Sequence, residues 1–301
     1  MRSIRPSILS VIAGAAVALA SPALADYSGG AAAFQARNFS QAYLLLLPAA
    51  HAGDPRAQFM LGQMSDSGLG PVQRDATEAT RWYLAAARLG HGPAQYAIAR
   101  AYAEGHGVPV DAAQSIAWLN AAAGSNFVPA ILALADMYDR GAGVPRNVET
   151  ATNWMRRAAS LGSPRGLYIL AERTLAGVGT PANAADGWML MRQAAERGEA
   201  AAMLRLGQIT GGSGSTAEQR ISALTMLLLA VRFGGDDVKR EATRLRGELT
   251  AHMLPNEIAD ATTRSRAFQP PPGAVEIDGP RMQASPAPSG RGQQARGGPR
   301  R

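Results

Sequence analysis

The sequence predicts an all-α protein, a right-handed α-solenoid of about six helical hairpins with C-terminal capping helices and a disordered tail. One observation is a stripe of small and large apolar residues at helical spacing in each unit, and another is a Gly-x-Gly turn that recurs between helices. The strongest is a helix-stop position spaced by 37 residues once and 36 residues four times, at Gly53, Gly90, Asn126, Gly162, Gly198 and Gly234. Repetition at this period is typical of hairpins that bury their apolar faces by stacking on neighbours.

Residues 1–25 have the features of a cleavable signal peptide. Arg2 and Arg5 make the start positive, residues 8–20 are apolar, and small residues precede the predicted cleavage point after Ala25. We therefore expect a periplasmic or secreted protein with no integral membrane segment in the mature chain. An uncleaved anchor is the alternative, although the apolar stretch is short for a membrane span.

The second helix of each unit carries a repeated packing pattern. A small residue is followed three positions later by a large apolar one, and then by a pair of small residues, as at Ala79, Trp82 and Ala86-Ala87. These offsets place all the residues on one stripe of a helix, where small groups allow a neighbouring helix to approach closely. The large position is tryptophan in three units, at Trp82, Trp118 and Trp154.

The turn between the two helices of a unit has its own repeated residues. Glycine at its start and two residues later tolerates the positive φ that ends a helix. A following Asp or Asn is expected to cap the second helix. The second glycines of the turns are Gly70, Gly107, Gly143 and Gly179, and the predicted caps are Asp75, Asp111, Asn147 and Asn183.

Together these residues resemble the Sel-one-like repeat (SLR) family of the tetratricopeptide-repeat-like superfamily. The family pattern is A-x3-LG-x2-Y-x2-G-x-GV-x2-D-x3-A-x2-W-x3-AA-x2-G. Three units match it well, a fourth matches with departures and a fifth matches weakly. Residues 29–53 resemble the helix pair that often leads such arrays. These units are 57–90, 94–126, 130–162, 166–198 and 202–234. The resemblance implies scaffolding, partner binding and regulation of signalling complexes rather than one reaction.

The predicted organisation has four parts. The signal peptide is followed by the solenoid over 26–234 and by capping helices over 235–268, one from Asp236 to Leu254 and one from Pro255 to about Phe268. Capping helices are expected because the last hairpin would otherwise expose its stacking face. Residues 269–301 are rich in Pro, Gly and Arg with few large apolar groups, so we predict a disordered basic tail.

The sequence lacks the common signatures of catalysis. It contains no cysteine, its four histidines do not stand at metal-ligand spacing, and neither HExxH nor GxSxG occurs. The Gly-x-Gly turns lack the preceding strand and third glycine of a dinucleotide site. We therefore predict a non-enzymatic protein with no catalytic residues, no metal site and no cofactor.

A concave face lined by the first helices is the predicted place for a partner. By analogy with tetratricopeptide-like arrays, each first helix would present an apolar or aromatic group beside a polar one, a composition suited to a peptide or protein groove. An ordinary solvated helix face is the alternative. The predicted partner-binding residues are Tyr96, Arg100, Asp136, Asp139, Tyr168 and Glu172.

Two classes of function remain open from the sequence. The first is an exported interaction scaffold or regulator that binds an envelope protein or peptide, in a more specific form the periplasmic domain of a sensor kinase. The second is an envelope hydrolase or cell-wall-processing factor. Export makes nucleic acid an unexpected partner in spite of the net charge of +7. Trp188, two residues before its repeat column, is either a shifted packing residue or an exposed contact residue.

Overall fold

The computed structural model describes residues 27–212 and 214–272. The described chain is divided into two compact units between Trp82 and Tyr83. Within the described residues all regular elements are α-helices, and none of these helices combines the length and apolarity needed to cross a bilayer. The predicted signal peptide, and residues 273–301 of the predicted tail, lie outside the described ranges.

Fourteen helices make up the described part of the chain, and most of them contain thirteen residues. In the first unit they are α1 (Tyr27–Gln35), α2 (Phe39–His51) and α3 (Pro55–Ser67), and α4 (Ala76–Arg88) runs across the division. In the second unit they are α5 (Gly92–Glu104), α6 (Ala112–Gly124), α7 (Val128–Arg140), α8 (Val148–Ser160), α9 (Pro164–Ala176), α10 (Ala184–Glu196), α11 (Ala200–Thr210), α12 (Ala217–Phe233), α13 (Asp236–Thr250) and α14 (Pro255–Ala267).

The first unit has a small core between its opening helices. Leu46, Leu61 and Met64 are fully buried there. Gly30 on α1 lies so close to α2 that a Cβ at this position would be 2.6 Å from Cγ of Leu46. Trp82 packs against the same core, with its ring 5.6 Å from that of His51. The close approach of α1 to α2 therefore depends on the absence of a side chain.

The second unit is an α-solenoid, as the sequence predicted, because each helix from α5 to α12 packs against its successor. One core cluster includes Ile131 and Leu134 of α7, and another includes Met191 of α10 and Met203 of α11. Trp118 and Trp154 are partly buried against the first cluster. Trp188 is partly buried against the second, so this displaced tryptophan is a packing residue.

Local hydrogen bonds confirm the predicted helix caps. Each predicted N-cap accepts a backbone N–H from the first turn of its helix: Asp75 from Thr77 at 2.8 Å, Asp111 from Gln114 at 3.0 Å, Asn147 from Thr150 at 2.9 Å and Asn183 from Asp186 at 3.1 Å. The preceding helices end in left-handed glycines, namely Gly68, Gly105, Gly141 and Gly177. These groups satisfy backbone donors and acceptors that a helix end leaves unpaired.

The predicted helix-stop residues share a positive φ, except the last of them. Gly53, Gly90, Asn126, Gly162 and Gly198 all have positive φ, which glycine and asparagine tolerate best. Gly234 has a φ of −76° instead. The reason is that only Gly234 and Gly235 separate α12 from α13, and Gly235 takes the N-cap position of α13 without a left-handed turn.

Helix α12 is the centre of the C-terminal cap. It packs against α11, α13 and α14, and its buried residues lie all round its axis. Arg220 of α12 forms an ion pair with the buried Glu257 of α14. The capping helices are thus confirmed, but α13 ends at Thr250 rather than at the predicted Leu254. Leu254 precedes a proline, which disfavours helical backbone, and its N–H donates to Glu257 at 2.9 Å.

Candidate protein-interaction surface

The six predicted contact residues lie on the first helices of three successive hairpins in the second unit. Tyr96 and Arg100 are on α5, Asp136 and Asp139 are on α7, and Tyr168 and Glu172 are on α9. Ion pairs connect α7 to α9 and α9 to α11. We use the term interaction surface for these six side chains together with Arg165 of α9 and Arg205 of α11.

Tyr96 is held mainly by packing. Only 9% of the residue is exposed, and its ring lies 5.6 Å from that of Phe127 at an angle of 58°. Burial raises the pKa of the phenol, with smaller contributions from the charges of Arg100, Glu104 and Arg165. Tyr96 is therefore a core residue that offers little surface to a partner.

Two exposed ion pairs lie within single helices of the surface. Arg100 Nη2 is 3.1 Å from Glu104 Oε1 on α5, and Arg140 Nε is 2.8 Å from Asp136 Oδ1 on α7. All four side chains are substantially exposed to solvent. Exposed pairs at this spacing contribute little to stability, so a partner can compete for either charge at small cost.

Asp139 differs from Asp136 because its partner is buried. Arg173 of α9 is 8% exposed, and its Nη2 lies 2.8 Å from Oδ1 of Asp139. The same guanidinium donates to Oγ1 of Thr152 at 2.9 Å. Arg173 thereby joins α7, α8 and α9, which gives Asp139 a structural partner within the fold.

Tyr168 and Glu172 form the other end of the surface. Burial raises the pKa of the Tyr168 phenol, and the negative charges of Glu172 and Glu199 raise it further, whereas Arg205 opposes them. Arg205 Nε is 3.4 Å from Oε1 of Glu172. This oxygen is buried and accepts no hydrogen bond within the protein, because the contact with Arg205 lacks hydrogen-bond geometry.

The structure thus connects two of the six predicted residues, Asp139 and Glu172, to neighbouring helices, whereas Arg100 and Asp136 form ion pairs within their own helices. Asp139 is joined to α9 through Arg173, and Glu172 is joined to α11 through Arg205. The sequence did not predict Arg173, Arg205 or Arg165 as part of this surface, because the prediction followed fixed offsets along each first helix. Long arginine side chains extend beyond their own register position, so their partners lie in the neighbouring repeat.

The side chains of this surface are suited to non-covalent contacts with another molecule. Carboxylates and guanidinium groups alternate beside two tyrosines, an arrangement that offers charged contacts and aromatic area to a polypeptide. Among the residues that the structure describes, no group of three His, Cys, Asp or Glu side chains is placed to hold a metal ion. The fold defines an α-helical repeat protein.

The family follows from comparison with known proteins. The model described as the Sel1 repeat matches five successive segments, 16–54, 55–91, 92–126, 128–163 and 164–199. These segments cover more than half of the chain, and the chain therefore belongs to the Sel1 repeat family. The match confirms the resemblance seen in the sequence. Sel1 repeat proteins generally mediate protein–protein interactions and are typically non-enzymatic scaffolds.

This chain is similar to several solved structures, of which two are described here. The SLR-fold protein c5321, a protective antigen of uropathogenic Escherichia coli, is 28% identical with a TM-score of 0.60, and the match covers 79% of this chain and 53% of the antigen. This chain therefore spans about half of the antigen's length. A Sel1 repeat protein from Oxalobacter formigenes is 24% identical with a TM-score of 0.66, over 81% of this chain and 100% of that one. The search of curated proteins gave no significant match.

Proposed function

We propose that this chain is an exported scaffold or regulator that binds a protein or peptide of the cell envelope through its interaction surface. The observation that carries the proposal is the row of exposed charges on α5, α7, α9 and α11, in which ion pairs join α7 to α9 and α9 to α11. Exposed ion pairs hold their partners weakly, so the row can exchange internal contacts for contacts with a partner. Membership of a family of interaction proteins supports the same function.

Export is the part of the proposal that rests on the sequence of residues 1–25. Their positive start, apolar middle and small residues before the cleavage point favour a signal peptide. Mass spectrometry of the protein purified from cell fractions tests this directly. We expect a mature chain that begins at Asp26 in the periplasmic or secreted fraction, and a cytoplasmic chain that begins at Met1 would contradict export.

The partner can be captured by photocrosslinking in intact cells. Asp136 is exposed on the surface, and replacing it with a photoreactive phenylalanine analogue disturbs only a weak ion pair within α7. Arg192 of α10, exposed and outside the interaction surface, is the matched control position. We expect a specific adduct from position 136 and none from position 192.

The identity of the adduct tests the finer form of the proposal. A sensor kinase crosslinked through its periplasmic domain would support the regulatory role, and another envelope protein would support the scaffold without that role. Equal adducts from positions 136 and 192, or none from position 136, would contradict the assignment of the surface.

A further inference from the structure

Helix α12 is covered on an outer face that stays exposed in the preceding second helices. On this face Ile221 and Thr225 are buried and Leu228 is half-buried. The residues one and two periods of 36 earlier are all exposed, namely Ala185, Met189 and Arg192 in α10 and Glu149, Asn153 and Arg156 in α8. The same register positions therefore face solvent in α8 and α10 but lie under another element in α12.

That element is α14, and its apolar contact with α12 is small. Ala261 of α14 and Met253 of the preceding loop are buried with Ile221 and Leu224 of α12 in a separate cluster. The buried side chains of α14 are one glutamate, one alanine and one serine, and its Ile258 is only partly buried. Because hydrophobic stabilisation scales with the apolar area removed from water, this contact holds α14 weakly.

Polar contacts add to the docking of α14. Glu257 accepts hydrogen bonds from the guanidinium of Arg220 and from the N–H of Leu254, the latter at 2.9 Å. Arg264 of α14 forms a second, exposed ion pair with Glu218 of α12. A buried pair loses hydration when the helix docks and regains it on release, and an exposed pair contributes little. Release of α14 therefore costs much less than these contacts suggest.

The opposite face of α12 is held more firmly. Leu227, Leu229 and Ala230 belong to a larger core cluster that includes Met203 of α11. Helix α11 approaches so closely that a Cβ on Gly207 would lie 2.8 Å from Cγ of Leu227. Helix α12 can therefore stay packed in the solenoid when α14 leaves its outer face.

We propose that α14 is a releasable strap. It leaves the outer face of α12 while the rest of the second unit stays folded, and it thereby uncovers an apolar strip formed by Ile221, Leu224 and Leu228. In the closed structure α14 itself occupies this strip, so the strap determines when the strip is exposed. The proposal does not depend on the interaction surface of α5, α7, α9 and α11.

The test compares two single-cysteine variants of the full chain, which contains no cysteine of its own. Leu224→Cys places a thiol beneath α14, and Leu227→Cys places one on the opposite face of the same helix. Both leucines are 1% exposed, so the second variant is a matched control for the first. The rate at which each thiol reacts with a maleimide measures how often its face becomes accessible.

Leu224→Cys should react at least about tenfold faster than Leu227→Cys, because release of the strap requires less free energy than global unfolding. Its rate should also depend less on urea, since release exposes less surface. Adding Glu257→Gln should raise the rate at position 224 by about tenfold or more, because Arg220 then lacks its counter-ion in the closed state. Glu241→Gln, which removes a carboxylate from an exposed pair on α13, should leave that rate unchanged.

Equal rates with equal urea dependence at positions 224 and 227 would mean that α14 leaves α12 only in global unfolding, and would overturn the proposal. Hydrogen exchange of the unaltered chain shows whether the strap opens without a cysteine substitution. Amides of α14 should then exchange faster than those of α11. Equal protection of the two helices would likewise overturn the proposal.

Discussion

Arg173 on α9 reaches back to α7 and places its Nη2 2.8 Å from Oδ1 of Asp139. The arginine is almost completely buried, whereas the aspartate is partly exposed. Because the guanidinium also donates to Thr152 on α8, one side chain joins three successive helices of the array. This contact distinguishes the two predicted acidic residues of α7, because Asp139 pairs with a buried arginine on another helix and Asp136 pairs with the exposed Arg140 on its own helix.

Asp139→Ala should destabilise the second unit by about 2 kcal/mol. The substitution leaves a buried guanidinium without its counter-ion, and the cost falls below the ~3–5 kcal/mol of a fully buried pair because Asp139 is partly exposed. Asp136→Ala is the control on the same helix, and it should change the free energy of unfolding by no more than about 0.5 kcal/mol. Urea unfolding followed by circular dichroism measures both, and equal effects would refute the distinction.

Gly179→Ala should be more destabilising than Gly143→Ala, although both glycines occupy the same position of the turn. Both have positive φ, 64° and 76°, so alanine costs about 1 kcal/mol at either. A Cβ at Gly179 would also lie 2.7 Å from the carbonyl oxygen of Val148, whereas at Gly143 the nearest atom is 3.5 Å away. We expect an additional ~2 kcal/mol for Gly179→Ala from overpacking. The difference in thermal midpoint between the two variants tests this.

Asp111→Ala should destabilise the chain by about 1 kcal/mol, because it removes the oxygen that accepts the N–H of Gln114 at 3.0 Å. Asp111→Ser keeps a capping oxygen and should cost only a few tenths of that amount. Denaturant midpoints of the two variants provide the measurement. If serine were as damaging as alanine, the cap would not be the source of the effect.

Docking of α14 should weaken in acid. Hydrogen bonds from Arg220 and from the N–H of Leu254 lower the pKa of Glu257, so this carboxylate stabilises the folded state above its unfolded pKa of about 4.3. The stabilisation is lost as the pH falls from that value through the lower folded pKa. Glu257→Gln should therefore flatten the acid limb of the stability curve.

Glu241→Gln is the control for this pH dependence. Arg244 lowers the pKa of Glu241 as well, but that pair lies exposed on α13 and should be screened by salt. Unfolding measured between pH 3 and pH 7 at moderate ionic strength should show a larger change for Glu257→Gln. The assignment fails if the two variants have the same pH profile.

The sequence by itself determined the repeat and its local chemistry. The caps at Asp111 and Asn147 were predictable because a side chain and the N–H it accepts are three residues apart. The glycine turns were predictable because only backbone conformation is involved. The family was recognisable because these local features recur in register.

Only the tertiary structure decided which charges act together. Asp139 pairs with Arg173 and Glu172 with Arg205, and each pair joins two helices from successive repeats. Such a pairing depends on how closely those helices pack and on the reach of long side chains, and neither is contained in a 36-residue period. For the same reason only packing showed that Trp188 lies partly buried against a core cluster and that Asp139, unlike Asp136, pairs with a buried arginine.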